Sequence, residues 1–150
     1  MAKRSLVLET FLPYRLSYTS SLVSELIAGA YKSMFGLTIP EWRVIAHAAE
    51  EAGVTQQQIG QRSRMDKVTV SRAAIALIDR GLIARAKNLS DRRSHQLMLT
   101  GAGRALYEQV APKALELEAR VFDRFDSREL AVLEKMLRKI DLSVLSTIAS

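Results

Sequence analysis

Between Thr38 and Thr100 the chain stops, restarts and changes its hydrophobic period several times, and this punctuation leaves few folds open. Thr38-Ile39-Pro40-Glu41 has the pattern of a capping box. The threonine side chain accepts from the amide three residues on, the glutamate reaches back, and the proline occupies the first turn, where no amide hydrogen is missed. A short helix is predicted from there to Gly53, with Trp42, Ile45, Ala46 and Ala49 as its buried stripe. Thr55 and Gln58 repeat the box and open a second short helix around Ile59 that ends near Ser63. Asp66 offers the N-cap of a third. At about 100° per residue, Val70, Ala73, Ala74, Leu77 and Ile78 share its core side, while Val68, Thr69, Arg72, Ile75 and Ala76 form the opposite face. That outer face carries one long cation among small or branched side chains and is shallow enough to enter a major groove. Gly81 ends the helix and the period drops to two. Leu82 to Lys87 reads as a strand with Ile83, Arg85 and Lys87 on one side, Asn88 to Ser94 as a loop, and His95 to Thr100 as the returning strand of a hairpin, with Leu97 and Leu99 on one face.

Long helices flank this region. From Pro13 to Phe35 apolar residues fall at Leu16, Val23, Leu26, Ile27, Ala30, Tyr31 and Met34, and Gly36 supplies the stop. The preceding LVLETFL is apolar on too many sides to be left in water; its pattern leaves its secondary structure open. Thr100 caps a helix carrying Leu106, Val110, Leu117, Val121 and Phe125, in which Pro112 implies a kink or a break because it removes a backbone donor. Asp126-Ser127-Arg128-Glu129 starts another helix, whose apolar row runs from Leu130 through Leu137 and Val144 to Ile148. The expected class is mainly α with a small β-hairpin.

Charge separates the middle of the chain from its flanks. Residues 62–93 hold nine basic side chains against three acidic ones, a balance of +6 that equals the net charge of the whole chain. The segment should therefore meet an anion. Hydrophobic content of 48% with three prolines describes a globular chain rather than a disordered one. The absence of cysteine excludes disulfides, thiolate metal sites and thiol-based sensing. No stretch approaches the roughly 18 uninterrupted apolar residues of a membrane span. The start MAKRSLVLETFLPYR is broken by Glu9 and Pro13 and is not a convincing signal peptide. A cytoplasmic protein is the expectation.

Three helices followed by a hairpin with a basic tip is the order of a winged helix-turn-helix, and the residues resemble the MarR family of transcription regulators. The resemblance is carried most specifically by Asp91-Arg92-Arg93 followed by Leu99-Thr100 and Gly103, which match the family's D-x-R and L-T-x-x-G. QQIG at 57–60, VTVSR at 68–72 and GLI at 81–83 fit more loosely. It implies a single domain over 1–150, with a DNA-binding module at 36–100 and dimerisation helices at 1–35 and 101–150. It also implies a homodimer on a pseudo-palindromic site in double-stranded DNA. Thr69 and Arg72 are then the base-edge candidates, Arg72 because its planar fork can grip guanine O6 and N7 together. Val68 is placed to touch a thymine methyl, and Lys67 and Ser71 to hold phosphates. Arg93 resembles the wing arginine that enters the minor groove, Asp91 the carboxylate that orients it, and Arg92 a phosphate contact or second probe. Against these stand plainer readings: Asp91 and Arg93 as an exposed ion pair, and Arg72 as a phosphate contact.

Family members commonly take small aromatic or phenolic carboxylates between the dimer helices and the winged module, which weakens DNA binding. By that resemblance Arg15 would pair with a carboxylate, Tyr14, Tyr18 and Trp42 would wall the site, and His47 would be a titratable donor. Trp42 as a core anchor, His47 as a surface or satisfied core histidine, and Arg15 as a bridge between subunits are the alternatives. An enzyme is disfavoured: His47 and His95 are the only histidines, and no phosphate loop, H-E-x-x-H or G-x-S-x-G pattern occurs. No cofactor is expected. Nor is a metal, since His47, Glu50 and Glu51 are a poor ligand supply. The expected function is a sequence-specific regulator, a repressor released by an effector. The serious rival is an architectural DNA-binding protein on the same scaffold.

Overall fold

The computed structural model describes residues 2–91 and 93–150. Its elements follow the order anticipated, with one strand added. A single 3-10 turn at Leu8–Thr10 precedes α1 (Leu12–Phe35), which Gly36 ends in the left-handed conformation at φ 64°. The helices α2 (Ile39–Glu50) and α3 (Gln56–Ser63) both begin with complete capping boxes, Thr38 with Glu41 and Thr55 with Gln58. Next comes α4 (Lys67–Asp79), capped by Asp66. The hairpin is β2 (Ile83–Lys87) with β3 (His95–Leu99), and Arg85 stands opposite Leu97. The added strand, β1 (Val54–Thr55), pairs antiparallel with β3 through Val54 opposite Leu97, giving a three-stranded sheet in the order β1-β3-β2. Two longer helices follow, α5 (Gly101–Phe122) and α6 (Ser127–Ala149).

The chain divides into two units, one ending at Pro112 and one running Lys113–Ser150. In the first, α2 packs on α4 and on the sheet, and Val44, Ile45, Val54, Ile59, Ala74, Leu77 and Leu97 are fully enclosed. This small core fixes the outward face of α4, because the side of the helix that carries Val70, Ala73, Ala74 and Leu77 is committed to it. The buried stripe of α2 is Glu41, Val44, Ile45 and Ala48 rather than the predicted Trp42, Ile45, Ala46 and Ala49. Apolar residues lie on almost every side of that helix, so its spacing could not choose the frame; packing on α4 does. Ile78 is half-buried at the margin.

At the far edge of the sheet, Thr100 and Gly103 lock the hairpin to α5. The Thr100 hydroxyl donates to the Gly81 carbonyl at 2.6 Å, its amide donates to Leu82 O at 3.1 Å, and the Gly103 amide returns to the hydroxyl at 3.0 Å. A Cβ on Gly103 would lie 2.0 Å from Leu82 O. This is the physical content of the L-T-x-x-G pattern: a cap and a bare backbone surface that together seat the start of β2.

Pro112 lies inside α5, which continues through it, so of the expected kink or break the break does not occur. In the second unit, Phe122 and Phe125 stand 5.9 Å apart, and Asp126 and Glu129 form a third capping box. No residue of α6 is buried, and Leu133, Met136, Leu137, Ile140, Val144 and Ile148 are all exposed at helical spacing.

Candidate nucleic-acid interface

The outward row of α4 is open to solvent as the angular argument requires. Arg72 is exposed, Val68 and Ile75 are 57% and 50% exposed, and Thr69 and Ser71 are half-buried. Lys67, also exposed, is the first residue of the helix, where a cation opposes the helix dipole. Its position does nothing for α4 itself and suits an anion outside it.

The N-cap alters what Thr69 can do. Asp66 accepts the Thr69 amide at 2.8 Å through Oδ1 and the Thr69 hydroxyl at 3.0 Å through Oδ2. These two bonds hold the Asp66 carboxyl below its ordinary range. They also commit the hydroxyl proton, so toward a base edge Thr69 offers its methyl and an acceptor lone pair. An amino group of adenine or cytosine fits that offer.

The loop between β2 and β3 is tied by its own polar residues. Asn88 accepts the Ser90 amide and donates to Ser94 Oγ at 2.9 Å, and the Asp91 amide returns to Asn88 O at 3.2 Å. Asp91 Oδ1 accepts the backbone amide of Arg93 at 2.9 Å. The carboxylate thus orients the backbone at Arg93. The exposed Asp91–Arg93 ion pair envisaged from the sequence is not formed. Arg92 lies outside the described residues. Leu89, at 97% exposure, marks the tip.

Lys67, Asp91 and Arg93 converge on one concavity of about 650 Å³, walled on the third side by α3. Sequence reasoning missed the wall. Gln56, Gln57 and Gln61 line it, as does His95 from β3. The run of three glutamines after the Thr55 cap was the signal, a helix start with amide side chains and no apolar partner. The second half of α3 adds the exposed Arg62.

The residues put forward for a small ligand fall into separate places. On α1, the Tyr14 and Tyr18 rings stand 6.4 Å apart and the Arg15 guanidinium lies 5.4 Å from the Tyr18 centroid, all of them exposed. Trp42 has other partners: Tyr31 at 5.6 Å and, nearly parallel, Tyr107 at 5.8 Å, with Arg104 beside the latter ring. Burial pushes the Tyr31 phenol above its ordinary value. His47, in the last turn of α2, has a buried Nδ1 with no hydrogen-bond partner among the described residues. Neither Tyr31 nor Tyr107 was anticipated as a neighbour of Trp42, since the contacts span 11 and 65 positions.

Among the described residues no group of three or more acidic or histidine side chains could hold a metal ion, and no helix is long and apolar enough to cross a membrane.

Comparison with known proteins fits this geometry. The model of the MarR family matches residues 35–94, the stretch that contains α2 to α4 and the wing loop. The transcriptional repressor Rv2887 of Mycobacterium tuberculosis is 26% identical over 108 residues, covering 72% of this chain and 78% of that protein. Among solved structures, a MarR/EmrR family transcriptional regulator from Acinetobacter sp. ADP1 superposes with a TM-score of 0.86 at 24% identity, covering 94% of this chain and 99% of its own. BpsR of Bordetella bronchiseptica, whose DNA binding is regulated by 6-hydroxynicotinic acid, superposes at 0.83 with 20% identity, covering 92% and 98%. At these identities the two structures speak for the fold.

Proposed function

We propose that the chain is a MarR-family transcription regulator, which the family match over residues 35–94 supports, and that it is a repressor that binds a pseudo-palindromic operator as a homodimer and is released by a small aromatic carboxylate. One observation carries the DNA reading: Lys67 at the start of α4 and Asp91 and Arg93 of the polar-tied wing line one concavity, and all three belong to the segment that holds all the excess positive charge. In this reading Arg72 and Thr69 read base edges, and Val68 contacts a thymine methyl. Lys67 and Ser71 hold phosphates. Arg93 enters the minor groove from a backbone that Asp91 orients, and Arg92 is assigned a phosphate contact or a second minor-groove probe.

The homodimer rests on the exposed apolar rows of α6 and α1. Nine large apolar side chains on the 23 residues of α6 need a cover, and each gains about 1 kcal/mol as its exposed half is covered. Two modules then present their α4 helices about 34 to 36 Å apart, one turn of DNA. The effector reading draws on the Arg15 guanidinium beside two exposed tyrosine rings, which suits a flat anion, and on the carboxylate that regulates BpsR. An effector would act by preferring a dimer whose recognition-helix spacing misfits the operator.

Selection of bound sequences from random DNA tests the whole. A regulator enriches a short inverted repeat over random duplex by about 10³-fold or more. Uniform affinity for all sequences would make the protein architectural instead. Thermal unfolding with a panel of aromatic carboxylates, 6-hydroxynicotinic acid among them, tests the effector. A raised midpoint that Arg15→Ala abolishes supports the site on α1, and no rise with any compound refutes it.

A further inference from the structure

Arg80 stands at the end of α4 and reaches across 44 positions to the end of α1, where its Nη1 donates to Gly36 O at 3.2 Å and its Nη2 to Phe35 O at 3.4 Å. The last turn of α1 needs such a partner. The Gly36 amide closes back on Lys32 O and the Leu37 amide on Tyr31 O. The final carbonyls of the helix, at the negative end of its dipole, are left to be satisfied from outside. A guanidinium is suited to this because its rigid fork meets two carbonyls at once. The backbone of Arg80 is itself fixed, as the C-cap of α4 with its amide on Ala76 O.

The neighbours against which α4 packs are α2, α3 and β2. Arg80 therefore adds a direct polar tie between α4 and α1, the helix with the exposed apolar row and the Tyr14, Arg15, Tyr18 cluster. It is also remote from the DNA-facing end of α4. Lys67 and Arg80 are 13 residues apart, roughly 20 Å along the axis.

We infer that Arg80 is a positioning residue: it caps α1 from the recognition helix, fixes where α4 lies relative to α1, and so transmits movements of α1 to the DNA-reading surface. The consequence for sequence recognition rests on α4 being the recognition helix; the mechanical tie does not.

The tests are Arg80→Met, which keeps the length and removes the donors, and Arg80→Lys, which keeps the charge and loses the fork, both in the full chain. Because the chain has no cysteine, spin labels at Glu25→Cys on α1 and Asp79→Cys on α4 report the separation of the two helices. The expected result is a narrow distance distribution with arginine at 80 and a broadened or displaced one in both variants. An unchanged distribution overturns the proposal, and this readout needs no DNA. In binding, both variants should lose roughly 5- to 30-fold in affinity for the sequence that the wild type selects. Affinity for random duplex and the slope of affinity against salt should stay unchanged. Equal loss on both DNAs with a shallower slope, restored by Arg80→Lys, would make Arg80 a phosphate contact and overturn the proposal. If the wild type selects no sequence, the regulatory reading fails and the distance measurement alone decides the role of Arg80.

Discussion

Replacing Gly103 by alanine should damage this protein more than any other glycine-to-alanine change in it, and the reason is one contact. The added Cβ would lie 2.0 Å from Leu82 O, 3.0 Å from Leu82 C and 3.2 Å from Leu99 Cδ2. An ordinary contact is more than an ångström longer than the first of these, and the obstacle is backbone that no rotamer change can move aside. That backbone is held by the Thr100 amide on Leu82 O, the Thr100 hydroxyl on Gly81 O and the Leu82 amide on Leu77 O. Overpacking costs about 1 to 3 kcal/mol, and weakening one or two of those hydrogen bonds adds about 0.5 to 1.5 kcal/mol each. A loss of about 2 to 5 kcal/mol follows, which in a chain of this size lowers the unfolding midpoint by roughly 5 to 15 °C. Gly101→Ala is the control. Nothing lies within 4 Å of its added Cβ and it opens the same helix, so it should be neutral or stabilising by about 0.5 to 1 kcal/mol. Denaturant unfolding of the two variants decides the matter, with DNA binding measured well below both midpoints to register displacement of β2 and its wing. A Gly103→Ala protein within about 0.5 kcal/mol of wild type would mean that Gly103 is not seated on Leu82 and that the account of the L-T-x-x-G pattern is wrong.

Arg72→Ala should cost about 1 to 3 kcal/mol on the selected operator and relax preference at one base position per half-site; equal weakening on every sequence would make Arg72 a phosphate contact. Arg93→Ala should lower operator affinity, and unchanged affinity with unchanged salt dependence would remove Arg93 from the interface. Leu137→Asp on α6 should shift the protein from dimer to monomer in sedimentation and weaken operator binding with it, whereas a persistent dimer would place the subunit contact elsewhere. The Asp66 carboxyl is held below its ordinary value of 3.8 by the Thr69 amide and hydroxyl, so its contribution is complete above that value and is lost as pH falls through the lowered one. The stability difference between wild type and Asp66→Asn should accordingly be level near neutrality and shrink as pH falls below 3.8; a gap that ignores pH would contradict the cap.

What the sequence disclosed follows from how far apart the interacting groups lie along the chain. Each of the three capping boxes has both halves within four residues, and all three formed as the pattern implied. The outward face of α4 was equally legible, because its apolar and polar sides are separated by angle. The frame of α2 was not, since a helix with apolar residues nearly all round takes its orientation from its neighbours. Two residues carry no period, so β1 exists only by virtue of β3 beside it. At the wing, the residue types were readable but the bond was not. Asp91 grips the amide of Arg93 because the loop turns there, and a turn of that kind competes with the side-chain ion pair that composition suggests. Trp42 with Tyr107, and Arg80 with the end of α1, span 65 and 44 positions and left no local trace.

The Arg80 tie also bounds how strong the proposed switch is. Hydrogen bonds from a charged donor contribute about 1.5 to 3 kcal/mol when well shielded. Both bonds here are exposed and long, at 3.2 and 3.4 Å, so solvent screening leaves about 0.5 to 1 kcal/mol for each, about 1 to 2 kcal/mol together. A coupling of that size corresponds to roughly 5- to 30-fold in affinity, near the lower end of what allosteric sites achieve. The aromatic cluster at Tyr14, Arg15 and Tyr18 sits near the start of α1 and Arg80 holds its end. The 17 residue steps from Tyr18 to Phe35 form a continuous helical lever of about 26 Å. A small tilt imposed at one end becomes a displacement at the other, and the tie passes it to α4 only up to the energy at which its two hydrogen bonds break. Its strength is therefore the ceiling on what an effector at α1 can do to the DNA-reading surface through Arg80, and its removal would leave α4 without this route to α1.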